Sequence, residues 1–299
     1  MTAFPPAPPE APLVSAIVVS YNTRDALLRC LAALAAEAAV PTEVVVVDNA
    51  SGDGSADAVR QAFPWARVLE PGANLGFSAA NNLGLRESRA AHVLVLNSDA
   101  EVKPGAVGVM LALLASRPDV GIVGPRTLYP DGRVQVSTGP RPTPLSEWRQ
   151  GRLVRGVRDR RSWALREADA RHAREHEPDW VSASCLLARR GALEAVGGFD
   201  EAYFLYQEDV DLCLRVRRAG WRILFTPRAE VVHLLGRSMA EAGARPRIEY
   251  HRSHLRFYRR HNGPRATLLL RLYFLVLSAR PSSDRLEARE LRRLALGGA

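Results

Sequence analysis

The sequence predicts an α/β fold, with a doubly wound sheet and helices on its faces. Short, continuously apolar runs such as 13–20 and 43–47 are typical of strands buried on both faces of a parallel sheet. Segments of helical composition alternate with these runs, as a doubly wound sheet requires. Ligands of such sheets bind at the carboxyl ends of the strands, so we expect the functional site there.

The elements follow one another regularly through the first half of the chain. Predicted strands lie at 13–20, 43–47, 67–70, 92–96 and 120–123, and the helices between the first four strands at 24–38, 56–63 and 77–88. A hairpin is predicted at 126–136, strands at 180–187, 221–225 and 230–234, and helices at 190–196 and 208–220.

Composition divides the chain into a leader, a main domain and a tail. Residues 1–12, rich in proline and alanine, are expected to be a disordered leader. The main domain covers 13–240, and within it 140–178 is rich in arginine, proline and acidic residues, which predicts a mobile insertion with few buried positions. Residues 241–299 form a basic tail. From position 245 onward it has 13 arginines against four acidic residues, which accounts for the net charge of +9.

The sequence disfavours four features: disulfides, a cysteine metal site, a dinucleotide-oxidoreductase site and a P-loop. Cys30, Cys185 and Cys213 are an odd number of widely spaced cysteines, which predicts buried thiols rather than disulfides or a metal site. Neither G-x-G-x-x-G nor G-x-x-x-x-G-K-[ST] follows any predicted strand, which argues against a dinucleotide oxidoreductase and a P-loop enzyme.

Polar clusters end the first, second and fourth predicted strands. These clusters are Tyr21-Asn22, Asp48-Asn49 and Asn97-Ser98-Asp99. One such cluster is commonly a turn or a helix cap. Three in register indicate a ligand site.

A second candidate site lies in the stretch 197–215, which sets acidic residues among aromatic ones. Glu208 and Asp209 fall in the first turn of a predicted helix, where the helix dipole favours negative charge. A partly desolvated carboxylate there can take a proton from a substrate hydroxyl. An N-terminal cap with charged neighbours is an equally good interpretation of this stretch alone.

Five segments together resemble glycosyltransferase family 2, the inverting enzymes of the GT-A fold. They are S-A-I-V-V-S-Y-N at 15–22, V-V-V-V-D-N-A-S-G-D-G-S at 44–55, N-L-G-F-S-A-A-N-N-L-G at 74–84, L-N-S-D at 96–99 and G-G-F-D-E-A-Y-F-L-Y-Q-E-D-V-D-L-C-L-R at 197–215. The resemblance covers about residues 13–240 and implies an α/β GT-A fold, a mixed sheet flanked by helices, followed here by C-terminal amphipathic helices.

The resemblance implies roles for the polar strand ends. The residues expected to bind the nucleotide-sugar donor are Tyr21, Asn22, Asp48, Asn74, Asn81, Asn97, Ser98 and Asp99. Asp99 matches the last acid of the family's D-x-D motif, which reaches Mg²⁺ or Mn²⁺ on the donor diphosphate, and His233 is a second candidate metal ligand. Asn97 replaces the first acid of that motif, so metal binding is expected to depend more on the donor. Gly236 and Ser238 suggest a closing loop after His233.

The same resemblance assigns the acceptor side. Asp209 matches the catalytic base, and Glu208 is expected to help hold the acceptor. Trp180, Ser182 and Ser184 are candidates for the acceptor-side wall, with an ordinary core strand as the alternative.

The tail predicts a membrane partner. Residues 245–261 form a basic amphipathic helix and 266–279 a more apolar one, too short for a confident span. They suggest a helix in an anionic membrane interface on the cytoplasmic side, although packing on the domain or dimerisation would also explain them.

The resulting hypothesis is a metal-dependent, non-processive glycosyltransferase acting on a lipid-linked cell-envelope glycan. Family members with this motif pattern resemble rhamnosyltransferases, which favours dTDP-L-rhamnose as donor, with UDP-hexose or UDP-N-acetylhexosamine as the alternative. Two other classes remain: a nucleic-acid-binding protein, disfavoured because the tail contains no such module, and a non-catalytic partner subunit.

Overall fold

The computed structural model describes residues 11–37, 39–234, 244–279 and 285–297. The strands are β1 Val14–Ser20, β2 Thr42–Asp48, β3 Arg67–Leu69, β4 His92–Asn97, β5 Ala100–Val102, β6 Val120–Leu128, β7 Thr138–Gly139, β8 Trp180–Val181, β9 Cys185–Arg189 and β10 Arg222–His233. The helices of the domain are α1 Arg24–Ala35, α2 Ser55–Ala62, α3 Gly76–Arg86, α4 Ala106–Ser116, α5 Pro144–Arg158, α6 Ser162–Arg171, α7 Arg190–Glu194 and α8 Glu208–Arg218. Those of the tail are α9 Ala244–His261, α10 Pro264–Ser278 and α11 Arg285–Ala295.

Eight strands form one mixed sheet in the order β3-β2-β1-β4-β9-β6-β10-β5. The first four in this order are parallel, whereas β9 runs antiparallel to both β4 and β6. Strands β7 and β8 pair separately. The predicted α/β class with a mixed sheet is confirmed.

Helices cover both faces of the sheet. On one face α1, α2 and α4 bury side chains such as Leu31, Val59 and Met110. On the other face α7 and α8 bury Leu193 and Leu212. The strands are therefore apolar on both sides, as their continuous apolar runs predict.

Some element boundaries differ from those expected. Strand β5 and helix α4 were not predicted, and β10 runs unbroken through the two strands expected at 221–225 and 230–234, with an irregular register between Thr226 and Glu230. The strand expected at 180–187 is broken at residues 182–184 into β8 and β9.

The segment 140–178 has few buried positions, as expected, but most of these positions belong to two helices that were not predicted. It contains α5 and α6, whose apolar side chains are buried against β6 and its hairpin. Leu153 and Val157 lie four residues apart on α5, as do Ala164 and Ala168 on α6. This spacing marks an amphipathic helix, and the high arginine content obscured it. Mobility of the segment stays a prediction.

The tail packs on the domain. Leu255 and Tyr258 of α9 are buried in one apolar cluster with Tyr203 and Val210. Tyr203 lies in the loop before α8, and Val210 lies in the first turn of that helix. Phe274 of α10 joins the same cluster. Among the described residues, no helix is both long and apolar enough to cross a bilayer. Most of the leader and the predicted closing loop with Gly236 and Ser238 lie outside the described residues.

Candidate active site

The polar strand ends meet at one edge of the sheet, as expected. Ser20 at the end of β1 is in register with Asp48 of β2, and Val19 is in register with Asn97 of β4. The hydroxyl of Thr23 lies 2.8 Å from that of Ser98, which joins the loops after β1 and β4. The parallel pairing of β1 with both neighbours thus aligns the three clusters.

Two of the predicted donor residues shape the loop after β2. Asp48 is buried, and its carboxylate accepts hydrogen bonds from the backbone N–H and hydroxyl of Ser51. Asn22, at φ 53°, accepts from the N–H of Gly52 at 2.7 Å and donates its own N–H to Ser51. Left-handed backbone at a residue other than glycine is uncommon and often marks a functional site.

The other predicted donor residues differ in exposure. Tyr21 is 46% exposed, so its ring is accessible for stacking. Asn74 accepts from the N–H of Gly76 at 3.0 Å and shapes the start of α3. Asn81 is buried and donates to the carbonyl of Phe77, while its Oδ1 has no hydrogen-bond partner in the described structure.

Asp99 and His233 form the second part of the site. Oδ1 of Asp99 lies 3.2 Å from Nε2 of His233, and both side chains are buried. Nδ1 of His233 donates to Oε1 of Gln135 at 2.8 Å. This bond leaves Nε2 to face Asp99 and the Nδ2 of Asn97, which is 3.3 Å away.

These side chains fit a divalent cation. An imidazole nitrogen held by a hydrogen bond on its other nitrogen, next to a carboxylate oxygen, is a common pair of metal ligands. Across the described ranges, no group of three His, Cys, Asp or Glu side chains could hold an ion. A cation at Asp99 and His233 would therefore need further ligands from substrate or water.

The predicted base lies at the first turn of α8. Oδ2 of Asp209 accepts from the backbone N–H of Ala183 at 3.1 Å, and Oδ1 accepts from Val210 at 2.8 Å. Ser184, next to Ala183, accepts from the N–H of Asn97 at 3.0 Å. The break between β8 and β9 thus connects Asp209 to the end of β4.

Burial changes the acidity of both carboxyls. It raises the pKa of Glu208 well above its usual range, and the charge of Asp209 raises it further. It also raises the pKa of Asp209, although the N–H groups of Ala183 and Val210 act in the opposite direction. Oε2 of Glu208 is buried without a hydrogen-bond partner in the described structure. Two buried carboxyls with raised pKa values at the start of one helix mark a candidate functional site.

The backbone before α8 is unusual. Tyr206 and Gln207 both have positive φ, 71° and 66°, directly before Glu208. Each costs about 1 kcal/mol or more in a residue with a Cβ. The loop is held from outside, since Ser253 of α9 donates to the carbonyl of Leu205 at 2.8 Å.

The predicted acceptor-side residues line the break between β8 and β9. Trp180 donates from Nε1 to the carbonyl of Pro140 and packs half-buried between two apolar clusters. The Ser182 hydroxyl accepts from the N–H of Ser184, whose own buried hydroxyl has no hydrogen-bond partner in the described structure. Contact with an acceptor stays a prediction.

Sequence reasoning missed two supporting groups. Gln135, in the hairpin after β6, fixes the ring of His233, and nothing in a hairpin sequence distinguishes it. Asp211 is fully buried between Arg215, at 2.6 Å, and His261 of the tail, at 2.6 Å. The i,i+4 spacing of Asp211 and Arg215 could have indicated an ion pair, but the partner in the tail could not.

Comparison with known proteins agrees with this geometry. Residues 9–249 match the family model described as "Glycosyltransferase like family 2". The chain is 34% identical, over 90% of its length and 94% of the relative's, to the N-acetylglucosaminyl-diphospho-decaprenol L-rhamnosyltransferase of Mycobacterium tuberculosis.

Solved structures of low identity share the fold. A mannosyltransferase of Pyrobaculum calidifontis, in complex with GDP-Man and Mn²⁺, is 21% identical, with a TM-score of 0.58 over 99% of this chain and 79% of that one. GalNAc-T7 with UDP, GalNAc and Mn²⁺ is 12% identical, with a TM-score of 0.60 over 96% of this chain and 55% of that one. The predicted GT-A architecture is thereby confirmed, and the chain belongs to glycosyltransferase family 2.

Proposed function

We propose that this glycosyltransferase transfers L-rhamnose, with inversion, from dTDP-L-rhamnose to a sugar on a polyprenyl diphosphate. One observation carries this choice of substrates: the similarity to the mycobacterial rhamnosyltransferase extends over nearly the whole length of both chains. That relative is named for a lipid-linked N-acetylglucosaminyl diphosphate. An acceptor of this chemical class also suits a protein with a basic tail.

In the proposed reaction, Asp209 is the general base. The acceptor hydroxyl oxygen attacks the anomeric carbon while the bond from that carbon to the donor diphosphate breaks. The hydroxyl proton passes to Asp209, and the leaving nucleotide diphosphate takes the electron pair. Attack from the face opposite the leaving group inverts the anomeric configuration. Two backbone hydrogen bonds orient the carboxylate of Asp209, which supports this role.

Glu208 is proposed to bind the acceptor. Its unpartnered Oε2 is buried next to the base, and a buried polar oxygen without a partner is costly until a ligand supplies one. Its raised pKa favours the protonated form, which can donate a hydrogen bond to a sugar oxygen. Trp180 is proposed as an apolar surface for the sugar ring, with Ser182 and Ser184 beside it.

Asp99 and His233 would hold Mg²⁺ or Mn²⁺, and Asn97 lies next to them. A divalent cation bound there would offset the negative charge that develops on the departing diphosphate. On the donor side, Tyr21 would stack on the base. The hydrogen-bonded loop formed by Asn22 and Asp48 would contact base and ribose, with Ser98, Asn74 and Asn81 nearby.

The tail is proposed to attach the enzyme to an anionic membrane surface. Helix α10 buries one face against the domain and leaves a large apolar face in solvent. This face consists of Leu268, Leu269, Leu272, Tyr273 and Val276, all at least 49% exposed. Helix α5 adjoins α10 and exposes Trp148, 59% accessible, near several arginines. Exposed apolar side chains flanked by arginine are typical of interfacial helices.

The experiment that tests the proposed donor is a panel of sugar nucleotides. Donor binding and slow hydrolysis would be measured with and without Mn²⁺ or Mg²⁺, in the wild type and in Asp99→Ala. Metal-dependent preference for dTDP-L-rhamnose, weakened in Asp99→Ala, is the expected result. Preference for a UDP-sugar would change the proposed donor but leave the proposed site unchanged. If the folded protein binds no sugar nucleotide of the panel, the result would favour a non-catalytic subunit.

A further inference from the structure

A cleft of about 600 Å³ lies between the tail and the loop before α8. Helix α9 forms most of its wall, α11 closes one side, and residues 202–204 of the loop close the other. Its volume lies within the range of small-molecule sites. None of its lining residues belongs to the Asp99 and His233 group.

The lining is rich in arginine. Five guanidinium groups line the cleft, those of Arg252, Arg256, Arg259, Arg260 and Arg293. Glu249 is the one carboxylate among the lining residues. Guanidinium groups bind phosphate oxygens with paired hydrogen bonds, so the composition of the wall favours an anionic ligand.

On one side of the cleft the arginines are paired with carboxylates. Arg252 lies 2.7 Å from Glu249 and 2.9 Å from Glu290. Arg293 lies 2.6 Å from Glu290. These pairs shape the α9 and α11 sides of the cleft and leave little free charge there.

On the other side the positive charge is not balanced. Arg260 forms an ion pair with Asp200, and Arg256 reaches the same carboxylate only at 3.9 Å. Arg259 is exposed and forms no ion pair within the described ranges. With Glu249 and Glu290 already counted, three carboxylates face five guanidinium groups. A fourth carboxylate, Asp211, lies 3.4 Å from Arg260, but its charge is balanced by Arg215 at 2.6 Å. The cleft therefore has an excess of about two positive charges, concentrated near Arg256 and Arg259.

The cleft adjoins the proposed active site through Phe204. The Phe204 carbonyl accepts from the N–H of Phe77 at 2.7 Å, where α3 begins after the donor-side loop. Phe204 also lies four residues before Glu208 in the chain. Leu255 and Leu294 add apolar surface to the cleft, and α11, which contributes Leu294, packs against α10. A ligand in the cleft would thus lie between the catalytic loop and the helices that carry the exposed apolar face.

We propose that this cleft binds the diphosphate of the lipid-linked acceptor, an assignment that rests on the proposed function. A diphosphate esterified at both ends carries two negative charges, which matches the excess of guanidinium charge. The sugar on one end would then extend toward Glu208 and Asp209, and the polyprenyl chain on the other toward the apolar face of α10. The cleft would distinguish a diphosphate-linked acceptor from a free or neutral glycoside.

Paired variants test this assignment. Arg256→Gln with Arg259→Gln removes the unbalanced charge, and Arg285→Gln with Arg289→Gln removes two exposed arginines of α11 that do not line the cleft. Binding of geranyl diphosphate would be measured by titration calorimetry without donor or metal. Transfer would be measured in neutral detergent with two acceptors, a short-chain isoprenyl diphosphate of N-acetylglucosamine and the octyl glycoside of the same sugar.

In the cleft variant we expect geranyl diphosphate affinity to fall tenfold or more, and the preference in kcat/KM for the diphosphate acceptor to fall with it. The control variant should retain both. Equal affinities and preferences in the two variants would overturn the assignment. Loss of binding to phosphatidylglycerol vesicles with unchanged geranyl diphosphate affinity would also overturn it, because the ligand would then be a lipid headgroup. A wild type that transfers sugar to neither acceptor would instead overturn the proposed function, and the donor-free binding measurement separates the two failures.

Discussion

The backbone N–H of Ala183 donates a hydrogen bond to the Asp209 carboxylate over 3.1 Å. Ala183 lies in the break between β8 and β9, so a break in one strand orients the first turn of α8. In the same break, the carbonyl of Ser184 accepts a hydrogen bond from the N–H of Asn97. Backbone hydrogen bonds thus connect the proposed base to Asn97, which lies two residues before the proposed metal ligand Asp99.

Replacing Asp209 by asparagine should abolish most of the transfer. Asparagine retains an oxygen for the Ala183 N–H but cannot take a proton, so kcat should fall by about 10²–10⁴-fold. Donor affinity and Tm should remain near the wild-type values. The matched control is Asp57→Asn at an exposed position of α2. Turnover like that of the wild type in Asp209→Asn would remove Asp209 from the role of base.

Activity should be lost on acidification at a higher pH than an ordinary aspartate would cause. The base acts only when ionised, and burial raises the pKa of Asp209. Since protonation removes the base, kcat/KM should decline as pH falls through this raised pKa. A pH profile of kcat/KM measures the midpoint of the decline. A midpoint at or below about 3.9, the usual pKa of aspartate, would contradict the expectation.

Gln135→Leu should weaken metal binding without removing a ligand. The side chain of Gln135 accepts from Nδ1 of His233, and loss of such a supporting bond commonly weakens metal affinity by about 10–100-fold. Titration of Mn²⁺ in a donor-binding assay measures this change. Gln61→Leu, at an exposed position of α2, is the control. An unchanged Mn²⁺ requirement in Gln135→Leu would argue against His233 as a ligand.

Asp211→Asn should destabilise the fold strongly. Asp211 is fully buried between Arg215 and His261, and removal of one partner from a buried ion pair costs about 3 kcal/mol or more. Urea unfolding at pH 7 measures the loss. Asp169→Asn breaks an exposed pair with Arg126 at 3.7 Å and should cost less than about 1 kcal/mol.

The carboxyl of Asp211 also predicts how the stability of the fold changes with pH. Burial alone would raise the pKa of Asp211, but the hydrogen bond from His261 and the charge of Arg215 outweigh it and lower the pKa. A lowered pKa in the folded state means that this stabilisation is present above the unfolded pKa and is lost as pH falls through the folded one. The difference in unfolding free energy between wild type and Asp211→Asn should therefore shrink in acid. A difference that stays constant down to pH 2 would contradict it.

Leu272→Glu should weaken attachment to anionic vesicles. Leu272 is 49% exposed on the apolar face of α10, and burial of a leucine in lipid contributes about 1.5–3 kcal/mol. Sedimentation with phosphatidylglycerol vesicles should show a loss of about tenfold or more. Leu13→Glu is the control, because Leu13 is 50% exposed before β1. Similar vesicle binding by both variants would exclude α10 from the membrane contact.

Much of the sheet could be predicted because its strands are buried on both faces. The runs 13–20 and 43–47 are apolar without alternation. The strands β1 and β2 begin and end within one residue of these two predicted runs. Strand β5 was missed because three residues at the sheet edge give no periodic signal. Helices α5 and α6 were missed because arginine on their exposed faces concealed the buried stripe.

Site residues could be predicted only where they lie at the ends of neighbouring strands or within short sequence motifs. Asp48 and Asn97 follow strands that pair with β1, so their proximity follows from parallel pairing. Gln135 and His261 reach the site through contacts 98 and 50 residues apart in the chain, which no local pattern reveals. The left-handed backbone at Tyr206 is equally hidden, because neither glycine nor asparagine marks it.

The hydrogen bond from Ser253 to Leu205 ties the tail to the loop before α8, so the tail cannot be removed or exchanged without affecting that loop. The family model ends at residue 249, within α9, whereas the apolar cluster that contains Tyr203 and Val210 extends to Phe274 and Leu291. A chain shortened before α9 would leave that apolar surface in water and the strained loop before Glu208 without its outer support. Exchange of tails between relatives would therefore replace the residues that support the loop before Glu208.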